Sequence, residues 1–249
     1  MRLSLVLRVV VYTVLVFAAT AMLAVETPAT GGYFNLGEAA IYSIAAFAPP
    51  LATAIAAGLG SAMADLALGY GIFAPATFAI KFCEGLVVSR LVSMVREKGS
   101  TPLWLRVLTP VVGGGIAATI ATLSLGGGGM GVELGLTPIK LAGLEIVLPT
   151  VSISLPPAVW AVIAGLVVAL SIATVVTSRY RPYVLCMAIG GMIMVTGYFL
   201  YEYFVSNPLT GRPPIAAVFE IPVNVGQFAA GIVIAHAVIG FVQRARGLG

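Results

Sequence analysis

Asp65 sits among small and apolar residues between Gly60 and Gly69, and Lys81 and Glu84 sit inside the apolar run that begins at Pro75. An ionisable group in hydrocarbon costs about 2.5–3.5 kcal/mol on insertion scales, so such groups face a partner or a watered cavity. Lys81 and Glu84 are three apart and share a helix face. Tyr198 and Glu202 are spaced i, i+4, and Glu220, Asn224 and Gln227 are spaced i, i+4, i+7, which makes one stripe. Polar stripes on several apolar helices suit recognition: an outward-opening cavity with apolar walls and a few placed polar groups for a small polar or aromatic molecule. Two plainer readings stand beside this one. Asp65 with Lys81, or Lys81 with Glu84, forms a structural ion pair, and Tyr33 and Phe34 are interfacial anchors.

The same residues exclude most chemistry. No serine pairs with a nearby base, no dinucleotide fingerprint follows a strand, and the glycines at 126–129 lack the Lys-Ser/Thr of a phosphate loop. His236 is the only histidine and lies deep in an apolar run, where bonding within a bundle is expected. Cys83 and Cys186 lack metal-ligand spacing and read as small core residues. The expectation is no catalytic residue, no metal and no cofactor.

The elements that position the polar groups follow from composition. Of 249 residues, 60% are hydrophobic and 9% charged, against about 25% charged in soluble domains, so the chain belongs to a membrane. A net charge of +4 then reports topology, not nucleic acid. Residues 3–25 resemble a secretory signal but continue into membrane-like sequence, and an uncleaved first helix is preferred. Glu26–Glu38, with Pro28 and three glycines, reads as a loop. A second helix over Ala39–Ala57 is kinked or split at Pro49-Pro50, and a short one covers Leu59–Leu68. Further spans are expected at Pro75–Val95, Leu105–Leu125, Ala158–Val176, Tyr183–Tyr203 and Ala216–Val242. Between residues 126 and 157 runs a long connection in which Ile146–Leu155 suggests a short hairpin or re-entrant piece.

With the N-terminus inside, Arg2, Arg8, Arg96, Lys98, Arg106, Arg179, Arg181, Arg244 and Arg246 all fall on the inner side. The outer loops keep Lys140 and Arg212 beside Glu26, Glu38, Glu133 and Glu145. Basic residues favour cytoplasmic loops, so both termini are placed inside a cell membrane crossed several times.

Four ordered motifs carry a resemblance: GYFNLGEAAIY from Gly32, GLGSAMADLALGYGIFAPATFAIKFCEG from Gly58, GYFLYE from Gly197 and EIPVNVGQ from Glu220. Together they resemble the substrate-binding (S) component of an energy-coupling factor transporter, in its riboflavin-type branch. That resemblance implies an all-α transmembrane bundle of six helices, with an inserted pair here at Leu105–Val176. The chain then divides into 1–98, the first four helices, 99–182, the insertion with its long outer loop, and 183–249, the last two helices. It also implies capture of a vitamin-like molecule from outside, with a transmembrane coupling subunit and two cytoplasmic ATPase subunits as partners. The loop Gly32–Glu38, including Tyr33 and Asn35, would be the lid. Lys81 would be the conspicuous polar contact, Asn224 and Gln227 hydrogen-bonding partners, and the small-residue face of the first helix the docking face for the coupling subunit. Flavin, pyridoxine-like and pyrimidine ligands all remain open. The alternative from the residues alone is a stand-alone transporter using Asp65, Lys81 and Glu84 as a proton relay.

Overall fold

A computed structural model describes residues 5–27, 30–98, 102–126, 131–134, 139–141, 144–146, 151–154, 157–177 and 182–245. It is a helix bundle. Helix α1 (Leu5–Met22) leads into a short hairpin, β1 (Leu23–Thr27) and β2 (Gly32–Phe34), followed by α2 (Gly37–Ala45), α3 (Pro50–Leu68) and α4 (Ala74–Lys98). Helix α5 (Leu103–Gly126) and helix α6 (Pro157–Thr177) enclose four strands, β3 (Gly131–Leu134), β4 (Ile139–Leu141), β5 (Leu144–Ile146) and β6 (Val151–Ser154). The chain closes with α7 (Pro182–Tyr201), a π-helical turn at Glu202–Ser206, a single turn α8 (Asn207–Leu209), a 3₁₀ turn at Pro214–Phe219 and α9 (Glu220–Ala245).

Four described stretches are long and apolar enough to cross a bilayer: Leu5–Met22, Pro50–Leu68, Pro182–Leu209 and Pro214–Ala245. Helix α4 carries more charge, but its 25 residues reach roughly 37 Å at 1.5 Å per residue. Large apolar side chains point outward from the rim, as at Val6, Val14, Leu51, Leu66, Val233 and Phe241, the arrangement that lipid-facing helices require.

Glycine sets the helix spacing inside the bundle. A Cβ on Gly60 would stand 2.7 Å from the Thr13 carbonyl oxygen of α1, and one on Gly190 would stand 2.1 Å from Val88 Cγ2 of α4. Neither distance is tolerable, so α1 meets α3 and α4 meets α7 only because the side chain is absent there. Helices α3 and α4, α2 and α9, and α7 and α9 also pack together, and α5 and α6 pair with each other and lean on α7.

Of the two outcomes expected at Pro49-Pro50, kink or split, the chain takes the split; the helix bounds around it and several other expectations need correction. The prolines at 49 and 50 split the second span completely: Pro49 is extended (φ −61°, ψ 148°) and Pro50 opens α3, because proline suits the first helical turn and forbids the α conformation before it. The remainder of the expected Ala39–Ala57 helix therefore joins Leu59–Leu68 in one helix. That helix ends at Gly69, whose φ of +89° caps it. The first helix stops at Met22 and its tail becomes β1, antiparallel to β2 with Glu26 opposite Tyr33. In the long connection, β5 and β6 do not pair with each other. Strand β5 pairs with β4, β6 with β3, and β4 with β1, giving the sheet order β2-β1-β4-β5. Residues 147–150 and 155, within the expected Ile146–Leu155 hairpin, lie outside the described residues, as do 178–181, so Arg179 and Arg181 carry no structural account.

Candidate functional site

The hairpin β1–β2 folds down onto α3 and α9, and a cavity lies beneath it. Tyr33, Asn35, Asp65, Lys81, Tyr198, Glu202, Glu220, Asn224 and Gln227 all line it. Glu84 does not; it is fully buried behind the lining. The site is narrow. Its free space is about 20 Å³, room for about one water molecule.

Each wall is fixed by a specific bond. On the α3 side, the Tyr33 hydroxyl donates to Asp65 Oδ1 at 2.5 Å. Burial first, and then the Asp65 carboxylate, push the Tyr33 phenol well above its ordinary range, which keeps it a donor. The Tyr33 ring stacks on Tyr70 with centroids 4.3 Å apart, and Ala24 and Phe73 complete this small apolar cap. On the α9 side, Thr30 Oγ1 donates to Glu220 Oε2 at 2.5 Å, and the Asn35 amide donates to Gln227 Oε1 at 2.8 Å. Gly32 has no side chain because Glu220 stands there: a Cβ would lie 2.9 Å from its Oε1. The hairpin is thus tied to α3 and α9 by its own residues.

The α4 wall is an ion-pair network. Lys81 Nζ donates to Glu38 Oε1 and, at 3.2 Å, to Glu84 Oε2. Tyr42 donates its hydroxyl to Glu84 Oε1 at 2.7 Å, and the ammonium lies 5.6 Å from the Tyr198 ring centroid. The expected pair of Asp65 with Lys81 does not form, because Asp65 takes Tyr33 and the two carboxylates of Glu38 and Glu84 surround the ammonium. Glu38, expected in an outer loop, is wholly buried in the first turn of α2. On α7, Tyr198 donates to Thr77 Oγ1 at 3.0 Å, and Glu202 opens the π-helical turn with 1% exposure.

Sequence reasoning missed Glu38, Thr20, Ser61, Thr77 and Phe73. Spacing held a signal for several of them. Thr77 precedes Lys81 by four and Ser61 precedes Asp65 by four, each extending a polar stripe, and Glu38 and Tyr42 form another such pair. Thr20 of α1 lines the cavity as well. His236 lies on α9, away from this lining. Among the described residues no group of three or more His, Cys, Asp or Glu is placed to hold a metal ion.

A family model described as "ECF-type riboflavin transporter, S component" matches residues 4–148, more than half of the chain. The chain belongs to that family. It is therefore a multi-pass membrane protein and a vitamin-type substrate-binding transporter subunit, not an enzyme. The match runs from α1 through α5 and into the strands that follow. A protein of Pyrococcus woesei described as "Uncharacterized protein in gap 3'region" is 34% identical over 110 residues, covering 44% of this chain and 70% of that one. No solved structure matches the chain.

Proposed function

We propose that this S component captures a small micronutrient on the outer side of the cell membrane and delivers it through an ATP-driven importer. The observation that carries the proposal is the convergence of buried polar groups from α3, α4, α7 and α9 under one hairpin, in a family of substrate-binding subunits. Tyr33, Asn35, Asp65, Lys81, Tyr198, Glu202, Glu220, Asn224 and Gln227 form the binding wall, and Glu84 holds Lys81 from behind. The hairpin and the segment 31–38 act as the lid. A ligand of vitamin size needs a few hundred Å³, so this narrow site admits it only when the lid lifts away from Asp65, Glu220 and Gln227. A transmembrane coupling subunit and two cytoplasmic ATPases supply the energy and carry the loaded bundle inward. Both termini are cytoplasmic, following the basic residues. The units 1–98, 99–182 and 183–249 are kept as the division of the chain, with α5 and α6 as an insertion beside α7.

The test is direct. The protein is purified in detergent and examined by mass spectrometry for a bound molecule, and by thermal melting against a panel of vitamins and precursors. A compound that raises the melting temperature, and whose uptake in cells requires the coupling subunits, supports the reading. Uptake that persists without those subunits and stops with a protonophore would assign the chain to proton-coupled transport instead.

A further inference from the structure

Charge is distributed unevenly around the cavity. Asp65, Glu202 and Glu220 line it, and Lys81 is the basic side chain among its described lining residues. That ammonium is already shared between Glu38 and Glu84, so an anionic ligand group arriving here finds no uncommitted cation. Arg212 stands outside the lining: its guanidinium packs against Gly31 and donates to the Thr210 hydroxyl at 3.1 Å, although its charge reaches Glu202.

Two of the cavity carboxyls are also incompletely paired. Glu202 Oε2 has no hydrogen-bond partner among the described residues. Asp65 Oδ2 has none within bonding distance, although the Thr77 hydroxyl stands close to this carboxylate. These side chains, Asp65 and Glu202, are only 2% and 1% exposed. Ser61 Oγ, on the same wall, is likewise unsatisfied. Buried polar atoms in native proteins are nearly always paired, and an unpaired one calls for a missing partner. A donor that also carries positive charge answers both deficits at once, since an uncompensated buried carboxylate is strongly unfavourable. The Phe73 and Tyr198 rings border the same space, and ring faces attract cations. The carboxyls come from separate walls and do not converge as metal ligands do, so the positive charge belongs on a molecule that spans them.

Resting on the capture reading, we propose that the ligand is a small organic cation: a nitrogen heterocycle or amine carrying positive charge, its N–H groups donating to Asp65 and Glu202 and its charge compensating the Asp65, Glu202 and Glu220 wall. The same wall repels anionic micronutrients, which is specificity by unfavourable charge.

Thermal melting and titration calorimetry on the full-length protein in detergent test this with probes sorted by charge: thiamine and benzamidine as cations, riboflavin as a neutral molecule and pantothenate as an anion. The expected result is a rise in melting temperature with a cationic probe, and affinity for that probe at least 100-fold above that for pantothenate. Glu202→Gln and Asp65→Asn should each weaken the cation at least tenfold, while ligand-free Glu202→Gln melts no lower than wild type. The amide keeps the size of the carboxylate and one acceptor oxygen while removing the negative charge. Tightest binding of riboflavin or pantothenate, unchanged in Glu202→Gln, would overturn the cation inference and leave the capture reading standing. No response to these probes or to a wider vitamin panel would overturn both.

Discussion

The Tyr33 hydroxyl and the Asp65 carboxylate meet at 2.5 Å, joining the outer hairpin to the last turn of α3 across a contact that both side chains bury. Tyr33→Phe removes the donor and leaves a buried carboxylate oxygen short of a partner, a loss of about 1–3 kcal/mol. The expected outcome is a lower melting temperature and faster ligand dissociation, read by stopped-flow displacement. A pH series adds a sign. The phenol is raised in the folded protein, by burial first, so its contribution is fully present below the ordinary phenol value of about 10 and is lost as pH rises through the folded value. The stability gap between wild type and Tyr33→Phe should be constant from pH 7 to 9 and shrink above about pH 10.

Lys81 holds two carboxylates, and removing it should show first in stability. Breaking one side of a buried ion pair costs about 3–5 kcal/mol, whereas replacing the whole set by neutral groups is far milder. Lys81→Met alone should therefore melt well below Lys81→Met combined with Glu38→Gln and Glu84→Gln. Equal melting of the single and triple variants would show that the network carries no charge in the folded state.

Gly231 on α9 abuts α2 so closely that a Cβ there would lie 2.5 Å from Glu38 Cβ and 3.2 Å from its carbonyl carbon. Gly231→Ala should displace α2, and Glu38 with it, at about 1–3 kcal/mol of overpacking strain. Gly240→Ala, on the same helix with nothing near its added Cβ, serves as the control and should melt like wild type.

Asn224 lines the cavity and Gln227 accepts the Asn35 amide at 2.8 Å, so the two should separate in binding experiments. Asn224→Ala should weaken ligand binding about tenfold, or about 1.4 kcal/mol, with little change in melting. Gln227→Ala should loosen the lid as well, raising the ligand dissociation rate and lowering the ligand-free melting temperature together.

Sequence determined the class of this protein and which polar residues turn inward, because both are local properties. Hydropathy decides which segments lie in a bilayer, and an ionisable group inside such a segment has to face the interior, wherever its partner lies. Asp65, Lys81, Glu202, Glu220, Asn224 and Gln227 were legible on that ground, and so was the break at Pro49-Pro50. Tertiary structure alone decided who meets whom. Lys81 finds Glu38, 43 residues away, and Tyr33 finds Asp65, 32 residues away, and neither distance leaves a periodic trace. Glu38 escaped because it directly follows a glycine-rich segment that looks like open loop, yet the first turn of α2 buries it. The pairing of β1 with β4 was equally hidden. Strands of five and three residues carry too little pattern to announce a partner, and a sheet edge takes its partner from whatever backbone the folded helices bring alongside it.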